Sequence, residues 1–427
     1  MHDYADTSAI PVPDTLIEQV LGQEEACHII RQAARQRRHV LLIGDPGTGK
    51  SMLGQAMAEL ITVHQPQDVL VFPHPMDPTT PQMRCLPAGQ GHCAVETQRE
   101  RAYRASQSLR LLFWIVATAL FLVSVYMTVR EDSITYLLGG LFLAGLALWA
   151  RTHYLSAPTA LIPKLLVQQS QTKAPFVDAT ALHAGALLGD VRHDPYQSGG
   201  IETPPHRLVE AGAIHRAHGG VLYIDEVSLL GMEAQNHLLT AMQEQCFAIT
   251  GRSPGSSGTM VHTTPIPCAF VLVLAGNIAD LENIHPALRS RIRGAGYEIY
   301  THAVMDDSAA NQWLLARLVA QEVRRDGKIP HFRAAAVQAV LAAARQRAGQ
   351  PGKLSCRFRE LGGLIRIAGD IAVREGAPLV DACHVHLALP WSLPIEEQMA
   401  LAQQPGRPGA PEDMPLSSAR HESDSAA

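Results

Sequence analysis

From Val40 the chain reads Val-Leu-Leu-Ile-Gly-Asp-Pro-Gly-Thr-Gly-Lys-Ser. The last eight residues, Gly44, Asp45, Pro46, Gly47, Thr48, Gly49, Lys50 and Ser51, carry the G-x-x-x-x-G-K-[ST] spacing of a loop that wraps a nucleotide triphosphate. Each residue type serves that chemistry. Glycines let backbone N–H groups close around phosphate oxygens, Lys50 reaches the β- and γ-phosphates, and Ser51 offers a hydroxyl to Mg²⁺. A helix starting near Lys50 adds the positive end of its dipole. ATP and Mg²⁺ are therefore the expected ligands.

Catalysis needs partners for that loop, and these lie far downstream. Val221-Leu222-Tyr223-Ile224 is a short apolar run of strand type ending in Asp225-Glu226, which sets two carboxylates at the carboxyl end of a buried strand. Asp225 would hold Mg²⁺ through water and Glu226 would polarise the attacking water as general base. A second apolar run, Phe270 to Ala275, delivers Gly276-Asn277 to the same edge, where the amide of Asn277 can orient water against the γ-phosphate. Arg291 closes Pro-Ala-Leu-Arg-Ser-Arg from Pro286; with Arg289 it is placed to reach a neighbouring subunit's γ-phosphate.

To bring these residues together the chain needs a parallel sheet whose strands end at one edge. At 427 residues, 47% apolar and 18% charged, it has ample core for two or three domains. A net charge of −5 without a long basic run argues against nucleic acid as partner. The seven cysteines are odd in number and scattered, which fits reduced thiols. Cys85, His92 and Cys93 lack the spacing and the second ligand pair of a zinc site. The histidines, among them His183, His193, His215 and His218, follow no ligand spacing and read as loop and core residues.

Two apolar runs set the cellular expectation. Leu111–Val129 and Ser133–Ala150 carry no charge, and as helices each is about 27–28 Å long, near the hydrocarbon thickness. The connection Arg130-Glu131-Asp132 is net acidic, whereas Arg99, Arg101, Arg104 and Arg110 precede the pair and Arg151 and Lys164 follow. The expectation is a two-span membrane hairpin over 109–151, both flanks cytoplasmic. ATP chemistry on both sides of the insertion demands the same even number of crossings.

This ordered set resembles the AAA+ ATPases, and most closely the ATPase part of the B-type, membrane-anchored Lon proteases, over about Leu16 to Pro394. The resemblance rests also on Leu21-Gly22-Gln23-Glu24-Glu25-Ala26, on His183 to Pro195 and on His285 to Arg293. It implies Walker A at Gly44–Ser51, Walker B at Asp225 and Glu226, sensor 1 at Asn277 and the arginine finger at Arg291. It also implies sensor 2 at Arg359, with Arg357 the near competitor, and a homo-oligomeric ring, a hexamer, acting on protein substrates. The fold it implies is an α/β AAA+ P-loop core over 16–300 interrupted by the hairpin, then a helical lid domain over 301–400. Residues 1–15, with Pro11 and Pro13, read as a flexible lead-in, and 401–427 as a disordered tail. A single helix is expected from about Thr15 to Arg37.

One departure bears on activity. Lon proteases carry a Ser-Lys protease domain, yet no lysine follows Lys353, and from Gln403 the composition cannot bury a core. Either a separate peptidase supplies proteolysis or the motor works without it. A remodelling motor of the MoxR or magnesium-chelatase type, and a nucleotide-switched membrane scaffold, share the same motifs. Tyr196, in Asp-Pro-Tyr-Gln-Ser-Gly-Gly, is the candidate for a loop that grips polypeptide. The stretch between Phe247 and Pro267 reads as a β-hairpin with a mobile tip.

Overall fold

The computed structural model describes residues 4–63, 65–131, 133–154, 162–169, 172–192, 203–252 and 260–402. The chain divides into two compact units, one of Pro13–Ala303 and one of Met1–Val12 with Val304–Ala427.

Five strands build the larger unit: β1 (Val40–Gly44), β2 (Phe176–Asp178), β3 (Val221–Ile224), β4 (Val271–Gly276) and β5 (Tyr297–Thr301). They form a parallel sheet in the order β5-β1-β4-β3-β2. Its helices include α1 (Glu24–Gln36), α2 (Lys50–Leu60), α3 (Gln90–Glu131), α4 (Thr135–Tyr154), α5 (Met232–Glu244) and α6 (Pro286–Ala295).

The period of two along each strand explains why both faces are covered. Val40 and Leu42 of β1, Val221 and Tyr223 of β3 and Val271 and Val273 of β4 point to one side, against Ile30 and Ala33 of α1 and Leu53 and Met57 of α2. Leu41, Ile43, Leu222, Ile224, Leu272 and Leu274 point to the other, against Leu238 of α5 and Leu288 and Ile292 of α6. Each fully buried aliphatic side chain contributes about 1.5–3 kcal/mol. That burial, more than any local propensity, fixes the register on which the site depends.

The helix expected over Thr15–Arg37 is broken. Leu16–Gln19 and Glu24–Gln36 are separate helices, because Gly22 turns at φ 62° and the buried Gln23 amide is engaged elsewhere: its Nε2 donates to His302 O at 2.7 Å and its Oε1 accepts from His302 N at 3.0 Å.

A feature absent from the sequence reading carries the insertion. Gln67–Phe72 pairs antiparallel with Gln82–Pro87 on one side and Lys164–Val167 on the other. The buried carboxylate of Asp68 accepts from Gly89 N and Gly91 N at 2.8 and 2.9 Å, satisfying donors at the start of α3 that have no partner within the helix. Helix α3 then runs 42 residues, and α4 returns beside it. Ser124, buried, faces Gly140, where an added Cβ would run into the serine side chain, the small-residue contact that lets two apolar helices approach. Leu111, Trp114, Leu122, Val129, Phe142 and Trp149 face outward.

The two-span expectation is supported for its first span. Among the described residues one segment, Leu111–Glu131, is long and apolar enough to cross a membrane by length and composition; the second apolar stretch, Thr135–Leu146, is shorter. The second run starts with polar Ser133 and Thr135 and ends near Arg151, so its apolar length falls near the lower limit.

In the smaller unit, α7 (Ala309–Asp326), α8 (Ala334–Ala348), α9 (Phe358–Arg374) and α10 (Ala382–Ala388) pack around Leu315, Val319, Leu341, Leu361, Ile365 and Val385. The strands Val304–Asp306 and Lys353–Ser355 pair antiparallel beside them. The lead-in is not loose over residues 4–12. Thr7 N donates to Phe332 O at 2.9 Å, Phe332 N donates to Thr7 Oγ1 at 3.0 Å, and Tyr4 meets Trp313 edge-on at 5.8 Å. Two prolines had suggested looseness, yet the buried Thr7 and Ile10 give this segment an anchor.

Candidate active site at the carboxyl edge of the sheet

Register decides which loops become neighbours. Ile43 of β1 pairs with Gly276 of β4, so Gly44 and Asn277 leave the sheet side by side. Leu274 of β4 pairs with Ile224 of β3, so Asp225 leaves beside Ala275. Three segments far apart in sequence therefore open at one edge, the place where parallel α/β sheets bind ligands.

The loop between β1 and α2 is tightly wound. Gly47 and Gly49 adopt φ 81° and 93°, a left-handed conformation that glycine takes without steric cost. Thr48 is buried; its Oγ1 donates to Asp45 O at 2.9 Å and lies 2.8 Å from Thr301 Oγ1 at the end of β5. Pro46 is exposed at the tip. Lys50, 8% exposed, donates its Nζ to Gly44 O at 2.8 Å and Asp45 O at 2.9 Å. These are neutral acceptors, and a phosphate anion in the same cradle would compete for the ammonium with full opposite charge.

Ser51 and Asp225 meet through a residue that the sequence reading passed over. The Tyr223 hydroxyl lies 3.1 Å from Ser51 Oγ and 3.1 Å from Asp225 Oδ2. Tyr223 and Asp225 share one face of β3 by the strand period, a signal that could have exposed the pairing. Gly54, one turn into α2, makes room: a Cβ there would sit 2.6 Å from the Tyr223 ring. Burial raises the Tyr223 pKa, and the Asp225 charge adds to the rise. Asp225 is held further by its own N–H, which donates to Thr180 Oγ1 at 2.9 Å, and by Glu226 N, which donates to Asp225 Oδ1 at 3.0 Å.

Ser51 and Asp225 are hard oxygen donors brought to one bridging hydroxyl, which suits Mg²⁺ shared with phosphate oxygens and water. Among the described residues no three His, Cys, Asp or Glu side chains gather into an all-protein metal cage.

Glu226 stands exposed just past the strand at φ 50°, a left-handed backbone that costs a non-glycine residue about 1–2 kcal/mol. Asn277 is also exposed and is fixed by its own turn: its N–H donates to Asp280 Oδ2 at 2.8 Å, and its Oδ1 accepts from Asp280 N at 3.1 Å. With Oδ1 engaged, the amide NH₂ is the part left to face a ligand. The buried Asp280 is a second residue missed from sequence, although Asx turns carry this spacing.

Arg291 is not gathered with these groups. Helix α6 leads from the carboxyl edge back toward the start of β5, and Arg291 stands near enough to His39, which precedes β1, to help burial lower that imidazole's pKa to about 4. Its neighbours are occupied: Arg289 and Arg293 both pair with Glu298, at 3.0 and 3.4 Å. Arg291 is exposed and has no ion-pair partner among the described residues. Arg359 belongs to the smaller unit, exposed in the first turn of α9, whereas Arg357 is half-buried at its N-cap. Tyr196 lies outside the described residues. The expected hairpin is present as Thr250–Arg252 paired with Met260–His262.

Known families match three stretches of the chain. Residues 16–74 match the family described as magnesium chelatase, subunit ChlI. Residues 172–286 match the LonB-like AAA domain, and 331–390 the AAA+ ATPase lid domain of archaeal LonB. The archaeal Lon protease of Thermococcus kodakarensis is 51% identical over 93% of this chain and 62% of the relative. That of Archaeoglobus fulgidus is 51% identical over 93% and 63%. A putative lon protease homolog of Thermoplasma volcanium is 36% identical over 93% of this chain and 91% of its own length. The chain thus spans about 62% of the length of the Thermococcus relative.

Proposed function

Because the chain belongs to the archaeal LonB-type family of Lon proteins, we propose that it is a membrane-anchored AAA+ ATPase that spends ATP hydrolysis on unfolding or translocating protein substrates. One observation carries the chemistry: Ser51 and Asp225, from opposite sides of the helical insertion, meet through one hydroxyl 3.1 Å from each.

In this mechanism the loop Gly44–Ser51 cradles the phosphates of ATP, and Lys50 turns from its two carbonyls to the β- and γ-oxygens. Mg²⁺, held by Ser51 and through water by Asp225, would supply charge neutralisation. Glu226 takes the proton of the attacking water, and Asn277 orients that water. Arg291, directed away from its own loop, serves the site of the next copy in a ring, a hexamer by family likeness. Arg359 is the sensor 2 residue by family likeness, and its exposure favours it over the half-buried Arg357. The hairpin of α3 and α4 anchors the ring by two spans with the ATPase on the cytoplasmic side. The long apolar exterior of α3 supports anchoring, and the arginines before Leu111 support the orientation. For residues 1–427 the proposed activity is ATP turnover.

The magnesium chelatase likeness is confined to 16–74, the nucleotide loop and its surroundings, whereas the LonB likenesses extend through Asp225, Glu226 and the lid. The test is Glu226→Gln. Turnover should fall by about 10²–10⁴ while ATP binding stays intact; turnover near wild type would reject the role. Unfolded protein should raise the wild-type ATPase rate, and a flat response would favour a nucleotide-switched scaffold.

A further inference from the structure

We propose that Tyr223 is a positioning residue for the metal pair, its phenol tying the Ser51 hydroxyl and the Asp225 carboxylate into one hydrogen-bonded unit that sets how tightly the chain takes Mg²⁺ with its nucleotide. This rests on the nucleotide reading above.

Proton bookkeeping gives the network a direction. A carboxylate can only accept, so the single Tyr223 proton goes to Asp225 Oδ2. The phenol oxygen then accepts from the Ser51 hydroxyl, 3.1 Å away. The Ser51 proton thus points down toward the sheet, leaving the Ser51 lone pairs free for a cation in the loop above. Without the phenol the serine rotor has no such instruction, and Asp225 Oδ2 loses a donor.

The phenol is itself immobile. Tyr223 is 1% exposed, packs against Phe176 at 5.7 Å and is pressed by α2 at Gly54. A phenylalanine would fill the same hole, so the packing does not require the oxygen; the two polar neighbours do.

The experiment compares the detergent-solubilised full chain with Tyr223→Phe, using a fluorescent ADP analogue titrated in EDTA and then across a Mg²⁺ series. Without Mg²⁺ both proteins should bind alike. The Mg²⁺ concentration for half-maximal tightening of nucleotide should rise about tenfold in the variant, the scale of a lost outer-shell partner. Gly54→Ala, which drives a methyl into the ring, should shift it in the same direction and serves if Tyr223→Phe unfolds. A wild-type Mg²⁺ dependence in a folded Tyr223→Phe would overturn the proposal. So would equal loss of binding in EDTA, which marks a packing role. Failure of the wild type to bind nucleotide at all would instead overturn the functional reading beneath it.

Discussion

At the scale of single residues, Glu226 and Asn277, the two groups proposed to act on the attacking water, are exposed, whereas Asp280 and Tyr223, which hold their neighbours in place, are buried. Asn277 faces solvent, and Asp280, 6% exposed, closes the turn that fixes it. Removing Asp280 leaves Asn277 in place but releases its backbone and amide, and loss of orientation at a reacting centre costs about tenfold to a hundredfold in rate. Asp280→Ala should therefore lower kcat for ATP by that amount while KM moves little, because the phosphate cradle lies on another strand. Steady-state ATPase assays check this; a raised KM with unchanged kcat would place Asp280 in nucleotide binding instead.

At the scale of elements, strands set the site and loops refine it, which explains what could be read in advance. Val40–Ile43, Val221–Ile224 and Phe270–Ala275 are apolar runs bounded by polar turns, so their strand character and the edge at which Gly44, Asp225 and Asn277 emerge follow from pattern alone. The sheet order does not, since it depends on which strands pair across long separations. Nor do the Tyr223 bridge, the Gln23 clasp on His302, or the pairing of Gln67–Phe72 with segments on both sides of the insertion. Each is a tertiary contact whose partners carry no local signature. His215 shows the same limit. Buried at the end of a short helix, it accepts from Gly212 N at 3.2 Å through Nδ1 and pairs Nε2 with Phe247 O at 3.1 Å, joining two elements as a neutral ring. Burial lowers its pKa to about 4; the Phe247 bond opposes the shift and His218 adds to it. In the unfolded chain it titrates near 6.5, so its contribution is complete above that pH and is lost as pH falls toward 4. Between pH 7 and 5 the loss is about 2 kcal/mol. Denaturant unfolding at both pH values should show the stability gap between wild type and His215→Gln narrowing by that amount; a gap independent of pH would mean that folding leaves the pKa of the ring unchanged.

At the scale of the whole molecule, the position of Arg291 makes the completeness of one chain the central question. The nucleotide loop, Asp225, Glu226 and Asn277 converge at the carboxyl edge, while Arg291 sits on the helix that leads away from it, without an ion-pair partner among the described residues, between two arginines that share Glu298. An arginine left exposed beside two that share one carboxylate suits a partner outside the chain, and a finger supplied in trans acts on a developing phosphoryl charge. Lys50→Ala and Arg291→Ala should then each be inactive alone for different reasons: one cannot grip phosphate, the other cannot complete its neighbour. In rings co-assembled from equal amounts of the two, a working site needs an Arg291→Ala copy holding ATP beside a Lys50→Ala copy lending its arginine. Random placement gives that pairing at about one interface in four, so ATPase activity should recover to about a quarter of wild type if the sites fire independently. If Arg291 served its own chain, no arrangement of the two variants would contain a complete site, and the mixture would stay as inactive as its parts.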